Sequence, residues 1–165
     1  MGETAILHVH YGTGKGKTTS AVGAVLRMTG HGKKALFCQF LKDGTSGEVA
    51  TLKKLGVRCE NPTKYLDIYE NSFLFARVVN VYTKQDNYDI IVLDEVLDAV
   101  VGNAIMESCL VEFIDDCLVD NIELFITGHY HVPEIILRKA KYITYFDNKH
   151  HPYEDGIMAR EGIEY

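Results

Sequence analysis

Two groups of residues in this sequence have types and spacing that could do chemistry. The first is the run Gly12, Thr13, Gly14, Lys15, Gly16, Lys17, Thr18 and Thr19. Glycines allow backbone N–H groups to converge without Cβ clashes, and a helix that begins at Lys17 would add its positive end, so the run suits a polyphosphate. Lys17 would contact phosphate oxygens and the Thr18 hydroxyl would ligate Mg²⁺. The usual pattern has four residues between its first glycine and the Gly-Lys-Thr. Here Gly12 leaves three, and Tyr11 occupies the fourth position back. This loop is one residue short, so its cradle need not place a γ-phosphate where kinases and ATPases do. The second group is Asp94-Glu95, two carboxylates that follow the apolar run Ile-Ile-Val-Leu. At the C-terminal edge of a parallel strand they would face the ligand side of the sheet. Asp94 fits a direct or water-mediated contact to the Mg²⁺ beside Thr18. Glu95 could ligate the metal or act as a base, and Asp98 fits a surface or cap position.

These groups need a scaffold that brings strand ends together. Short β-rich runs alternate with helical spacing along the chain, which predicts an α/β fold of three layers with a mostly parallel central sheet, a P-loop NTPase fold of the RecA-like kind. Strands are expected at residues 5–10, 35–41, 57–59, 89–93, 122–127 and 142–146. Helices are expected at 17–28, 47–55, 72–82, 107–118 and 133–138. The tail from residue 149 is polar, with room for one helical turn.

The 165 residues, 47% hydrophobic and 24% charged, suit one domain spanning residues 1–165. A net charge of −6 argues against a broad nucleic-acid or membrane surface. No apolar run approaches the length of a membrane span. Met1-Gly2-Glu3-Thr4 lacks the pattern of a secretion leader. Cys38, Cys59, Cys109 and Cys117 form no C-x-x-C pair and read as thiols in a reducing cytoplasm, the last two as core on a helix. His8 and His10 share one face of the first strand, and His129 and His131 follow another. A metal site is conceivable there only if the two strands are neighbours.

Beyond these local readings, the sequence resembles a family, the ATP:corrinoid adenosyltransferases of cobalamin biosynthesis and salvage. The short phosphate loop carries part of the likeness, together with the segments at residues 27–34, Gln39-Phe40-Leu41-Lys42, Gly47-Glu48, Val92-Leu93-Asp94-Glu95 and Ile126-Thr127-Gly128. The tail at 149–157, closing with Glu161-Gly162-Ile163-Glu164-Tyr165, is the most telling part. The resemblance implies that Co(I) of a corrinoid attacks the 5′-carbon of ATP, and that triphosphate leaves whole from an ATP bound in reversed orientation. It implies ATP and Mg²⁺ as ligands, the corrinoid as substrate, a flavoprotein reductant and a homodimer. Lys17 and Glu95 would carry the catalytic role, with Arg27 contacting ATP. A P-loop NTPase, or a nucleotide- or corrinoid-binding relative without turnover, is the alternative. The chain departs from the family in three ways. It has no Trp, so Tyr65, Tyr69, Phe73 or Phe75 would have to press on the corrin, with Tyr65 and Phe73 the first candidates. Its first strand is expected within a few residues of Met1, so the family's N-terminal arm is not expected here. His129 stands where the family often has Arg, a permanently charged phosphate partner.

Overall fold

The computed structural model describes residues 4–64, 66–83 and 87–163. Its strands are β1 (Leu7–Tyr11), β2 (Ala35–Gln39), β3 (Arg58–Glu60), β4 (Ile90–Asp94), β5 (Glu123–Gly128) and β6 (Tyr142–Tyr145). Its helices are α1 (Lys17–Gly30), α2 (Gly47–Lys54), α3 (Ile68–Thr83), α4 (Val96–Val101), α5 (Glu107–Val119) and α6 (Glu134–Lys139). The strands form one sheet in the order β3-β2-β4-β5-β1-β6. Every pairing is parallel, so the sheet is parallel throughout rather than mostly so.

Alternation along the strands explains the three layers. In β2 and β4, Leu36, Cys38, Ile91 and Leu93 point to one face, where they meet Leu74 and Val78 of α3 and Leu110, Phe113 and Ile114 of α5. Phe37, Ile90 and Val92 point to the other face, against Ala21 and Val25 of α1 and Val49 and Leu52 of α2. Period-2 alternation with both faces apolar leaves a continuous apolar run. That is why the central strand β4 is buried along its whole length.

The expected elements form, with ends shifted by one to four residues. Helix α3 begins at Ile68 rather than 72, because Asp67 caps it: the Glu70 N–H donates to Asp67 Oδ1 at 3.1 Å. Buried Asn71 then ties this end of α3 to the sheet by accepting from the Leu41 N–H at 2.9 Å. Strand β6 stops at Tyr145 because Phe146 turns away to bond the Tyr11 carbonyl and, through its own carbonyl, the Gly14 N–H. Helix α4 has no counterpart in the sequence reading. Its six residues are too short a window for a helical period to show against the apolar run before it.

Candidate active site

The phosphate loop leaves the end of β1 and enters α1 at Lys17. Gly12 and Gly16 both have φ near +113°, a conformation that favours glycine. A second constraint acts on the loop from behind. A Cβ on Gly12 would lie 2.4 Å from the Phe146 carbonyl oxygen, and one on Gly14 would lie 2.6 Å from that of Asp147. The segment leaving β6 therefore lies directly against the loop, and the Gly14 N–H donates to Phe146 O at 2.8 Å. Lys17 is buried and curls back into the loop, donating to the carbonyls of Gly12 at 2.6 Å and Gly14 at 2.9 Å. Burial lowers its pKa, while the carboxylates of Asp98, Glu95 and Asp94 oppose that shift.

Strand β5 lies between β1 and β4, so the loop and the acidic pair are one strand apart. Two threonines bridge the gap. The Thr18 hydroxyl lies 2.9 and 3.1 Å from the two Asp94 oxygens. Thr127, at the end of β5, donates to Asp94 at 2.8 Å and accepts the Glu95 N–H at 2.8 Å. Asp94 is fully buried and also receives the amide of buried Gln39 at 3.2 Å. The same Gln39 nitrogen donates to Glu48 at 3.0 Å, which fixes the orientation of the amide. Glu95 sits in the left-handed region at φ 60°, a conformation that costs a non-glycine residue about 1 kcal/mol. The sharp turn lets α4 begin immediately after β4. Burial raises the Glu95 pKa, and the charge of Lys42 works against that rise.

Lys42 closes the group. Its ammonium lies 3.4 Å from Asp94 and 3.1 Å from Glu95. Burial disfavours its charge, but the carboxylates of Asp94 and Glu95 outweigh that and raise its pKa. Asp98, in the first turn of α4, accepts from the His129 N–H at 3.0 and 3.1 Å and lies 3.0 Å from the His129 ring. That hydrogen bond raises the His129 pKa against the effect of partial burial.

A cleft of about 780 Å³ runs over this floor. Thr13 to Thr19 of the loop, Lys42, Glu48, Glu95 and His129 line it, and so does the tail through Asn148, His150, His151 and Ile163. The tail is tied down where Lys15 Nζ donates to the Ile163 carbonyl at 2.8 Å. It carries a short 3-10 turn, Pro152–Asp155, capped by the His151 ring. A second large cavity opens between Tyr82, Asp89, Asp116 and Asp120; its acidic wall repels anions.

The structure thus gathers Gly12 to Thr19, Asp94 and Glu95 in one place. Arg27 lies elsewhere, in a groove with His8, His10, Phe125 and Tyr142. Phe73 is 72% exposed on α3, with Leu66, Ile68 and Tyr69 exposed nearby in sequence, whereas Phe75 belongs to the core. Tyr65 lies outside the described residues. Strands β1 and β5 are neighbours, but His8 bonds Glu123 at 2.5 Å and stacks on Phe125. Among the described residues no group of three or more His, Cys, Asp or Glu could hold a metal by itself. The four cysteines are free thiols, with Cys38 and Cys117 buried. The sequence reading assigned no site role to Lys42, Gln39, Thr127 or the Asp98–His129 pair. One signal could have found one of them: β2 ends in polar Gln39 after an apolar run, as β4 ends in Asp94.

The oxygen-only set of Thr18, Asp94 and Glu95 is the donor chemistry that Mg²⁺ prefers, and the cation of Lys42 already sits between the two carboxylates. These residues therefore fit a hard divalent ion.

A family model described as "ATP:corrinoid adenosyltransferase BtuR/CobO/CobP" matches residues 3–165. Three relatives named corrinoid adenosyltransferase align over 99% of this chain. The Escherichia coli K12 protein is 30% identical, with 87% of its length covered. The Pseudomonas aeruginosa protein is 28% identical with 85% covered, and the Sinorhizobium protein 23% identical with 81% covered.

Proposed function

This chain belongs to the ATP:corrinoid adenosyltransferase family, and from that premise we propose that its cleft holds the triphosphate of ATP while the 5′-deoxyadenosyl group passes to a corrinoid. The electron pair of Co(I) in the corrinoid substrate forms the cobalt–carbon bond at C5′. The C5′–oxygen bond breaks, and its electrons leave with triphosphate. The observation that carries this reading is the convergence of the loop, Glu95 and the tail on one cleft, with buried Asp94 behind Thr18. A reaction in which the whole triphosphate departs asks for cations and amides along its length rather than a base at its end.

Within that reaction, Lys17 exchanges the Gly12 and Gly14 carbonyls for phosphate oxygens, and Lys15 and Thr19 flank the same chain of phosphates. Thr18, Asp94 and Glu95 would hold Mg²⁺, which would supply positive charge toward the leaving triphosphate. Gln39 and Thr127 hold the Asp94 carboxylate aimed at Thr18 by donating to it. The exposed apolar residues Leu66, Ile68, Tyr69 and Phe73 lie at the end of α3 that Asn71 fastens at Leu41, next in sequence to Lys42 of the cleft lining. They support an apolar seat for one corrin face, with Tyr65 in the same segment. Arg27 contacts ATP only if the nucleotide reaches the groove behind α1.

The Co(I) state requires an electron from a low-potential donor, for which a flavoprotein is the candidate. No helix among the described residues is long and apolar enough to cross a membrane, and the free thiols accord with a cytoplasmic site. Assembly as a homodimer completes the proposal.

The test supplies Mg-ATP and a chemically reduced corrinoid, then follows the cobalt spectrum and the phosphate products. An alkylcobalt spectrum with stoichiometric triphosphate is expected. ADP with orthophosphate would show an NTPase instead, and nucleotide binding without either product would show a binding protein.

A further inference from the structure

Lys42 is placed where a divalent cation would sit. Its ammonium spans Asp94 at 3.4 Å and Glu95 at 3.1 Å, and both carboxylates belong to the oxygen set that fits Mg²⁺. Glu48 is the third acid near it, and it lines the same cleft. A fully buried carboxylate needs a cation close by. In the chain alone Lys42 meets that need for Asp94. A metal ion and this ammonium cannot both occupy the space between the two carboxylates. The lysine side chain is partly exposed and lines the cleft together with Lys15, Lys17 and His129. A short rotation of its flexible stem therefore moves the charge from the carboxylates to the phosphates.

We propose that Lys42 is an exchangeable cation: it neutralises Asp94 and Glu95 until a divalent ion displaces it, and then pairs with the triphosphate. This rests on the metal role given above to Thr18, Asp94 and Glu95. Its consequence is ordered charge. The carboxylates do not face an incoming polyphosphate bare, and the arrival of the metal releases one more cation for the leaving group.

The two halves predict effects of opposite sign, which a merely structural lysine does not produce. The probes are Mn²⁺ alone, followed by its paramagnetic resonance signal, and inorganic tripolyphosphate in saturating Mn²⁺, followed by calorimetry. In Lys42→Met the competitor is gone, so Mn²⁺ alone should bind at least ~10-fold tighter than in the wild type. Tripolyphosphate with Mn²⁺ should bind ~10-fold more weakly, because a phosphate partner is lost. Lys42→Gln keeps a polar head of similar reach and serves if the methionine variant does not fold. Asp94→Asn in the Lys42→Met background should abolish the tighter Mn²⁺ binding, which locates the ion. Equal Mn²⁺ affinity in wild type and variant, or weakening of both ligands, overturns the exchange and leaves the metal site standing. Absence of Mn²⁺ binding from both proteins overturns the metal site and the exchange with it.

Discussion

Lys17 donates to two loop carbonyls at 2.6 and 2.9 Å, so phosphate binding replaces neutral acceptors with charged ones. Charge-assisted hydrogen bonds of this kind contribute about 1.5–3 kcal/mol each. Lys17→Ala should therefore weaken ATP by at least ~100-fold in equilibrium binding, and an undiminished affinity would remove the role given to this loop. His129 offers a subtler test. Its bond to Asp98 raises its pKa, so the imidazolium persists above the ordinary value of about 6.5. A raised pKa means the cation is present at low pH and lost as pH rises through the folded value. The groups facing His129 are Asp98, Glu95, Lys17 and the Tyr130 ring. The wild type should thus bind triphosphate more tightly than His129→Gln near pH 6, and the gap should close by about pH 8.5. A constant ratio across that range would show that His129 does not act through its charge. If the pH dependence appears, a histidine tuned by Asp98 would retain part of what a fixed arginine would supply.

At the scale of elements, the site depends on close approaches that only glycine permits. A Cβ on Gly128, at the end of β5, would lie 2.4 Å from the Cβ of Leu97 in α4. Neither atom is the free end of a flexible side chain, so Gly128→Ala must push α4 away from β5. Overpacking of this kind costs about 2 kcal/mol, or about 5 °C in melting temperature for a domain of this size. The shift also moves Asp98 from His129 and Glu95 from Thr127, so triphosphate affinity should fall together with stability. A melting temperature within 1 °C of wild type, measured by calorimetry, would contradict this account of the α4–β5 contact. Helix α4 itself shows why element ends are hard to read. The left-handed turn at Glu95 carries no glycine to announce it, and it is held by the Thr127 bond from a strand 32 residues away.

At the scale of the whole molecule, the C-terminal tail belongs to the site rather than to the core. Among the described residues none beyond Ala140 is a member of either apolar cluster, yet Asn148, His150, His151, Gly162 and Ile163 line the cleft. Ending the chain after Lys149 should leave thermal stability within a few degrees of wild type, because little apolar surface is lost. The same truncation should weaken ATP by ~10-fold or more, through loss of the cover and of the Lys15 contact to Ile163. Unchanged affinity would make the tail a bystander; collapse of the fold would make it structural.

Much of this was legible along the chain. The Gly-Lys-Thr run, the carboxylates after Ile-Ile-Val-Leu and the alternation of strand and helix are local patterns with local causes: glycine's conformational freedom, burial on both faces of a strand, and a helix start that favours anions. The family likeness rested on the same short segments, and His150, His151, Gly162 and Ile163 of the tail that completed it line the cleft with the loop. Other features depended on residues far apart in sequence. Strand order placed Thr127 between the loop and Asp94. The path out of β6 explained Gly12 and Gly14 from behind, and the packing of α4 paired Asp98 with His129. The three-dimensional arrangement also set Arg27 apart from the cleft over the glycine loop and brought Lys42 to the acidic pair. A sequence states which groups are available, but a carboxylate's partners are whichever charges the fold brings within a few ångströms, and that proximity exists only once the sheet has formed.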